Sequence, residues 1–262
     1  MRNYLRLLSI FYKNTLASEM EYRLNFWANI GLSLFWLLWA TLSVRVYFFH
    51  ADTIAGWSYP ELLVVMGLFF ALNGFRQMFI EPNLSRLSEY VRLGTLDYIL
   101  TKPVDSQFLV SLRRIGVYNW VDPIMGMGLV VLALRQSGHL PGLAQAGLFL
   151  VMIAAALVLL YSFNLILQTM TFWLVNIERA DALMQGLLET GRFPINFYRG
   201  WLRGVLTVII PVAFMTTFPA QALLGRLEWW TAAAAVSLAV FLFSLASVFW
   251  RYALRYYTGA SS

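Results

Sequence analysis

The sequence predicts an all-α integral membrane protein with six transmembrane helices, an N-terminal interfacial helix and a cytoplasmic helical insert between spans two and three. Three observations carry that prediction. Of the 262 residues, 60% are hydrophobic and 12% charged, where a soluble domain carries about 25% charge. The apolar residues form continuous blocks at 24–44, 62–75, 115–134, 143–175, 204–225 and 231–250. Blocks without period-two alternation exclude a β-barrel. A hydrocarbon core of about 30 Å takes about 20 helical residues, so most blocks span as they stand. The second reaches that length by continuing through Arg76 to Ile80.

The third observation is the placement of the basic residues. Arg2, Arg6, Lys13 and Arg23 precede span one, and Arg76, Arg86, Arg92, Lys102, Arg113 and Arg114 attend the second connection. Arg179, Arg192, Arg199 and Arg203 lie in the fourth connection, and Arg251 and Arg255 follow the last span. Arg45, Arg135 and Arg226 fall on the opposite side. Positive residues stay cytoplasmic, which puts both termini and the insert at 81–114 inside. The net charge of +6 is therefore a topology signal and gives no support to nucleic-acid binding. The first apolar run is a full span, too long for a cleavable signal core. With no cysteine, disulfides and thiolate metal sites are excluded.

Taken in order, residues 3–23 suit a helix on the membrane surface. Leu5, Leu8, Tyr12, Leu16 and Met20 share one face, and Arg2, Arg6, Ser9 and Lys13 gather on the polar side near lipid headgroups. The alternative is a cytoplasmic extension of span one. His50 to Pro60 forms a short outer loop, after which Ser58 and Glu61 make a capping box for span two. The third connection, Arg135 to Gly142, is equally short. No internal repeat or linker divides the chain, so residues 1–262 form one domain.

The fifth span has two readings. Hydropathy and the position of Arg199 and Arg203 favour 204–225, although Pro211 and Pro219 would kink it. The prolines favour the other, in which 180–198 is a polar, protein-facing span and 204–225 a re-entrant hairpin on the outer side. Both keep the C-terminus inside.

The insert is organised. At 100° per residue Leu84, Leu87, Tyr90 and Val91 occupy one side of a helix, with Ser85, Arg86, Ser88, Glu89 and Arg92 on the other. Gly94 can end that helix in a left-handed conformation. Thr95, Leu96 and Asp97 open another turn or two, stopped by Pro103 after Lys102, and Asp105 can cap the helix that follows. Such an elbow either receives a partner or lies on lipid headgroups.

The residues here resemble a family. The run Val91-Arg-Leu-Gly-Thr-Leu-Asp-Tyr-Ile-Leu-Thr-Lys-Pro-Val104 looks like the R-x-G-x-L-D-x-x-L-x-x-P segment of bacterial ABC-2 type permeases. Agreement continues at Gly56-Trp-Ser-Tyr-Pro-Glu61, Arg192-Phe-Pro-Ile-Asn-Phe-Tyr198, Ile210-Pro-Val-Ala-Phe214, Phe218-Pro219 and Tyr256-Tyr-Thr-Gly-Ala260. Thr258 stands where members of the family often have serine. The resemblance implies a multi-pass permease subunit of an ATP-driven ABC exporter in the bacterial cytoplasmic (inner) membrane. Its cargo would be an unidentified amphiphilic or lipid-like substrate. The resemblance further implies two copies of an ABC ATPase that bind ATP and Mg, and a second permease subunit, identical or related. By carry-over the coupling element is Leu84 to Pro103, with Leu84, Leu87, Tyr90, Val91, Arg92, Gly94, Thr95, Leu96, Asp97, Lys102 and Pro103 meeting the ATPase. Spans one, two and five are where substrate contacts are expected.

No G-x-x-x-x-G-K-[ST] exists, because the two lysines, Lys13 and Lys102, follow Tyr12 and Thr101. A P-loop ATPase must therefore be a separate polypeptide, and this chain is expected to hold no cofactor. His50 and His139 are outer-loop residues with no metal-ligand spacing. Asp122 lies within span three and is a functional candidate by default; the structural alternative is a pair with a cation such as Arg76. Asn73, Asn164 and Gln168 line a path or hydrogen-bond between helices; with Arg76 and Asp122 they are the candidate substrate-path residues. Gly126-Met-Gly128 and Gly200-x-x-x-Gly204 permit close helix contact. The ten tryptophans read mainly as interface anchors. Two other classes compete. An ion-coupled secondary transporter would use Asp122 but lacks related halves. A lipid-modifying enzyme needs a His, Asp or Glu cluster that the sequence does not offer.

Overall fold

The computed structural model describes residues 7–13, 15, 23–138, 140–173 and 180–257. Within the expected surface helix, 7–13 is helical; Arg2, Leu5, Arg6, Leu16 and Met20 lie outside the described residues, as do His139, Arg179 and Thr258.

Five continuous helices among the described residues are long and apolar enough to cross a membrane: Trp27–Tyr47, Tyr59–Arg92, Val117–Gln136, Leu143–Phe172 and Trp229–Tyr256. The first belongs to α1 (Arg23–Tyr47). A two-residue hairpin follows, β1 (Thr53–Ile54) against β2 (Trp57–Ser58), with Thr53 opposite Ser58. Its turn residues Ala55 and Gly56 have φ of 51° and 83°, the left-handed pair that a tight hairpin demands. Helix α2 (Tyr59–Phe75) then begins, and the Ser58 amide donates to Glu61 Oε2 at 2.9 Å. That bond is the glutamate half of the expected capping box.

Span two does not stop at the membrane edge. It widens into a π-helical turn at Arg76–Ile80 and runs on through Glu81–Leu84. The insert then carries α3 (Leu87–Arg92), α4 (Asp97–Leu100) and α5 (Ser106–Leu112). A 3-10 turn at Val117–Trp120 leads into α6 (Val121–Gln136), and α7 (Leu143–Thr169) returns. Beyond the undescribed 174–179 come α8 (Ala180–Glu189), α9 (Gly200–Gly204) with a π turn at Val205–Ile209, α10 (Val212–Met215), α11 (Thr217–Leu223) and α12 (Trp229–Ala253).

Two helix pairs form the body, α2 against α6 and α7 against α12. Glycine sets the first pair. A Cβ on Gly67 would fall 2.6 Å from the Gly126 carbonyl oxygen, and one on Gly126 would fall 2.5 Å from the Ala71 amide. Gly74 meets Pro123 in the same way. The close contact expected at Gly126 is thus made, whereas Gly128, Gly200 and Gly204 face open space.

The contacts match the re-entrant reading of 204–225. Gln185, Glu189 and Arg192 sit with Asn29, Gln77 and Asn119 toward the elbow end of the bundle. Phe193, Phe197 and Tyr198 instead meet Tyr47, Ile54 and Leu62 at the hairpin end. Residues 180–198 therefore pass between the ends. Gly200–Thr207 and Val212–Leu223 meet at 58°, and the chain leaves them again at the hairpin end, where Arg226 pairs with Glu61 and donates to the Gly56 carbonyl. Pro211 marks the break. Pro219 sits in the first turn of α11, where a missing amide costs nothing. Protein groups satisfy the irregular backbone there, as lipid requires: Thr216 Oγ1 donates to the Gly191 carbonyl at 2.8 Å, and the Ile195 amide donates to Thr217 Oγ1 at 3.0 Å.

The glycine seam makes a direct prediction. Gly126→Ala must force α2 and α6 apart and lose about 1–3 kcal/mol of stability, as overpacking does. The measurement is the melting temperature of the detergent-solubilised protein, with Gly128→Ala, facing open space, left unchanged.

Candidate functional site

Two features carry chemistry: the elbow, and a polar groove on its flank. The elbow is built on one asparagine. Asn83 Nδ2 donates to the Phe79 carbonyl at 2.7 Å and to the Arg114 carbonyl at 2.8 Å, while the Arg114 amide donates to Asn83 Oδ1 at 2.7 Å. Beside it the Gly116 amide donates to the Met78 carbonyl at 2.7 Å. The insert thus leaves and re-enters the bundle at one point. Burial, and then the Arg86 guanidinium, lowers the pKa of Arg114, against the opposite pull of Tyr90 and Glu89.

Between these ends the amphipathic face turns inward. Leu84, Leu87, Leu96 and Ile99 are buried in the chain's own core, and Tyr90 and Val91 pack against it. Thr95 and Asp97 are half-buried. Gly94 takes a φ of 66°, and Asp105 Oδ1 accepts from the Phe108 amide at 2.9 Å, as an N-cap does. Of the residues expected to meet a partner, Leu84, Leu87 and Leu96 hold the elbow to its own bundle. The outward surface is Arg92, Leu93, Tyr98, Lys102 and Pro103. Leu93 is 55% and Tyr98 74% exposed. Neither had been singled out, because helical period defines two faces without saying which one the chain covers.

The groove has a volume of about 430 Å³, within the range of small-molecule sites. Span one contributes Asn29, Ser33 and Trp36, and span two contributes Phe69, Phe70, Asn73 and, from its π turn, Gln77. Asn119 and Asp122 come from the start of span three, and Gln185, Glu189 and Arg192 from the polar crossing. Arg192 Nη2 lies 2.6 Å from Glu189 Oε2, and its guanidinium sits 5.3 Å from the Phe69 ring centre. The Ser33 hydroxyl hydrogen-bonds the Asp122 carboxyl.

The sequence-derived path residues divide. Asn73 and Asp122 line the groove. Arg76, 1% exposed, stands behind Asn73: its Nε donates to Asn73 Oδ1 at 3.2 Å and its Nη2 reaches Glu81 Oε2 at 3.2 Å. The alternative pairing of Arg76 with Asp122 is therefore replaced by a pair with Glu81. Asn164 and Gln168 are buried in α7, where Asn164 Nδ2 donates to the Leu160 carbonyl at 2.8 Å. Neither lines the groove. The residues not foreseen, Gln185 and Glu189 above all, lay in 180–198, the segment that the proline-based reading made a protein-facing span.

Five continuous helices long and apolar enough to cross a membrane define a multi-pass membrane protein. Residues 34–261 match the ABC-2 family transporter protein family. The chain belongs to that family and is a permease component of an ABC transporter. No curated protein matches it.

The elbow's dependence on Asn83 is measurable. Asn83→Ala strands the Arg114 amide and two carbonyls, a loss of about 2–3 kcal/mol. Limited proteolysis should then cut within 84–113 faster than in the parent chain.

Proposed function

We propose that this chain is the transmembrane permease subunit of an ATP-driven ABC exporter in the bacterial cytoplasmic membrane, with both termini and the elbow in the cytoplasm. Two ABC ATPases bind ATP and Mg and seat the elbow, and a second permease, identical or related, completes the path. The substrate is amphiphilic or lipid-like. The observation that supports this best is the elbow's outward surface, an exposed leucine and tyrosine beside Arg92 and Lys102, on a base that is itself stapled to the bundle. Large exposed apolar side chains rimmed by charge mark docking surfaces. The absence of a P-loop from the sequence assigns ATP hydrolysis by that motif to another subunit. The groove, facing spans one and two, offers the amphiphile a polar wall of amides and an apolar wall of Trp36, Phe69 and Phe70.

Purification of the tagged chain at native expression, followed by mass spectrometry, tests this reading. An ABC ATPase should co-purify with it. Leu93→Glu with Tyr98→Asp should reduce its recovery roughly tenfold, the loss typical of spoiling a central contact, while the melting temperature stays unchanged. Leu140→Glu, an exposed residue at the opposite end, should have no effect. Undiminished ATPase recovery with the double variant would sink the proposal.

A further inference from the structure

We infer that the groove binds the positively charged head of an amphiphilic organic cation, with Asp122 as its counter-charge; this rests on the permease reading above. The argument is one of charge balance. Among the described residues the groove presents two carboxylates, Asp122 and Glu189, and one guanidinium, Arg192. Arg192 is held by Glu189 through Nη2 at 2.6 Å and lies over the Phe69 ring, while its Nε is buried without an acceptor. Arg76, behind Asn73, is turned to Glu81. Among the described residues Asp122 has a neutral partner, the Ser33 hydroxyl.

A carboxylate at membrane depth is costly unless a cation faces it. The remaining walls suit such a ligand. Asn29, Asn73 and Gln77 offer carbonyl oxygens that cations favour, and the faces of Trp36, Phe69 and Phe70 attract positive charge and cover hydrocarbon. Among the described residues, an anionic head would meet two carboxylates, Asp122 and Glu189, and one guanidinium, Arg192, whose Nη2 is already held by Glu189. The cavity of about 430 Å³ admits a compact organic cation.

The test uses two ions of matched shape and opposite sign, tetraphenylphosphonium and tetraphenylborate. Each is titrated by equilibrium dialysis against the full-length chain in neutral-lipid nanodiscs, with empty nanodiscs subtracted. Saturable tetraphenylphosphonium binding should be at least about tenfold tighter than that of the borate, as a complementary partly buried charge gives. Asp122→Asn should remove roughly tenfold or more of that affinity, and Asp122→Glu should retain most of it. Should Asp122→Asn fold poorly, Gln185→Lys places a cation in the same groove from an exposed position, and the same loss is expected. Equal affinity for the two ions, preference for the borate, or unchanged affinity in a folded Asp122→Asn or Gln185→Lys overturns the inference. No ATPase is present in this assay, so its failure leaves the permease assignment standing, and failed ATPase recovery leaves this result standing.

Discussion

The contact on which the rest depends is backbone against backbone: α2 on α6, with Gly67, Gly74 and Gly126 giving up side chains at the interface. Lipid offers apolar surface no preference for protein, so helices in a membrane associate through packing that only small residues allow. This seam fixes more than one pair of helices. The elbow begins at the end of α2 and finishes at the start of the turn into α6. Because the two helices touch, the ends of the insert are close enough for one asparagine to hold both. The groove has the same origin. Asn73 and Gln77 descend from span two, and Asn119 and Asp122 from the start of span three, so the seam sets the width of its floor.

A second constraint acts on every polar group at this depth. Ser162, Asn164 and Thr169 return their donors to carbonyls of the preceding turn, and Thr171 does the same three residues back. Arg76 cannot be satisfied so simply. The π turn that follows it bonds residue i to i+5, and the Glu81 amide indeed donates to the Arg76 carbonyl. That widening brings Glu81 onto the face of Arg76, where an α-helix would carry it away. The bulge is the local backbone cost that lets a guanidinium be buried and paired on its own helix. Asp122 receives no such provision, which distinguishes a group held for structure from one facing the groove.

Much of this was legible in the chain. Five spans appear because continuous apolar runs need no knowledge of packing, and the elbow's hinge and cap were visible as Gly94 and Asp105. Three matters were not. Amphipathicity announced that α3 has an inner and an outer face, but burial of Leu84 and Leu87 depends on what the rest of the bundle offers them. The Arg76–Glu81 pair required a helical register that differs from 100° per residue. The crossing at 180–198 is short on hydropathy because Gln185, Glu189 and Arg192 face a cavity rather than lipid. Hydropathy therefore awarded the span to 204–225, whose two prolines were the signal against it. Fold was readable where lipid is the solvent, and unreadable where protein replaces lipid.

The elbow's exit explains how a surface feature is mechanically joined to the distant helices. Gln107 Nε2 in α5 donates to Tyr161 Oη and to Ser247 Oγ, each at 3.1 Å, and Ser111 Oγ lies 2.7 Å from the same tyrosine hydroxyl. One residue before Gln107, the Trp250 indole donates to Ser106 Oγ at 3.2 Å. Helix α5 is thus bonded to α7 through Tyr161 and to α12 through Ser247 and Trp250, while Asn83 ties Arg114, two residues past its end, to the continuation of span two. A load on Leu93 or Tyr98 meets the core contacts of Leu96 and Ile99, and then a helix of seven residues that cannot shift without breaking these bonds or carrying its neighbours. Broken singly, such bonds are worth about 1 kcal/mol each, but they share one rigid helix and must yield together. Displacement of the elbow beyond Pro103 is therefore passed to both helix pairs at once, the glycine-seamed pair through Asn83 and the α7–α12 pair through Tyr161, Ser247 and Trp250.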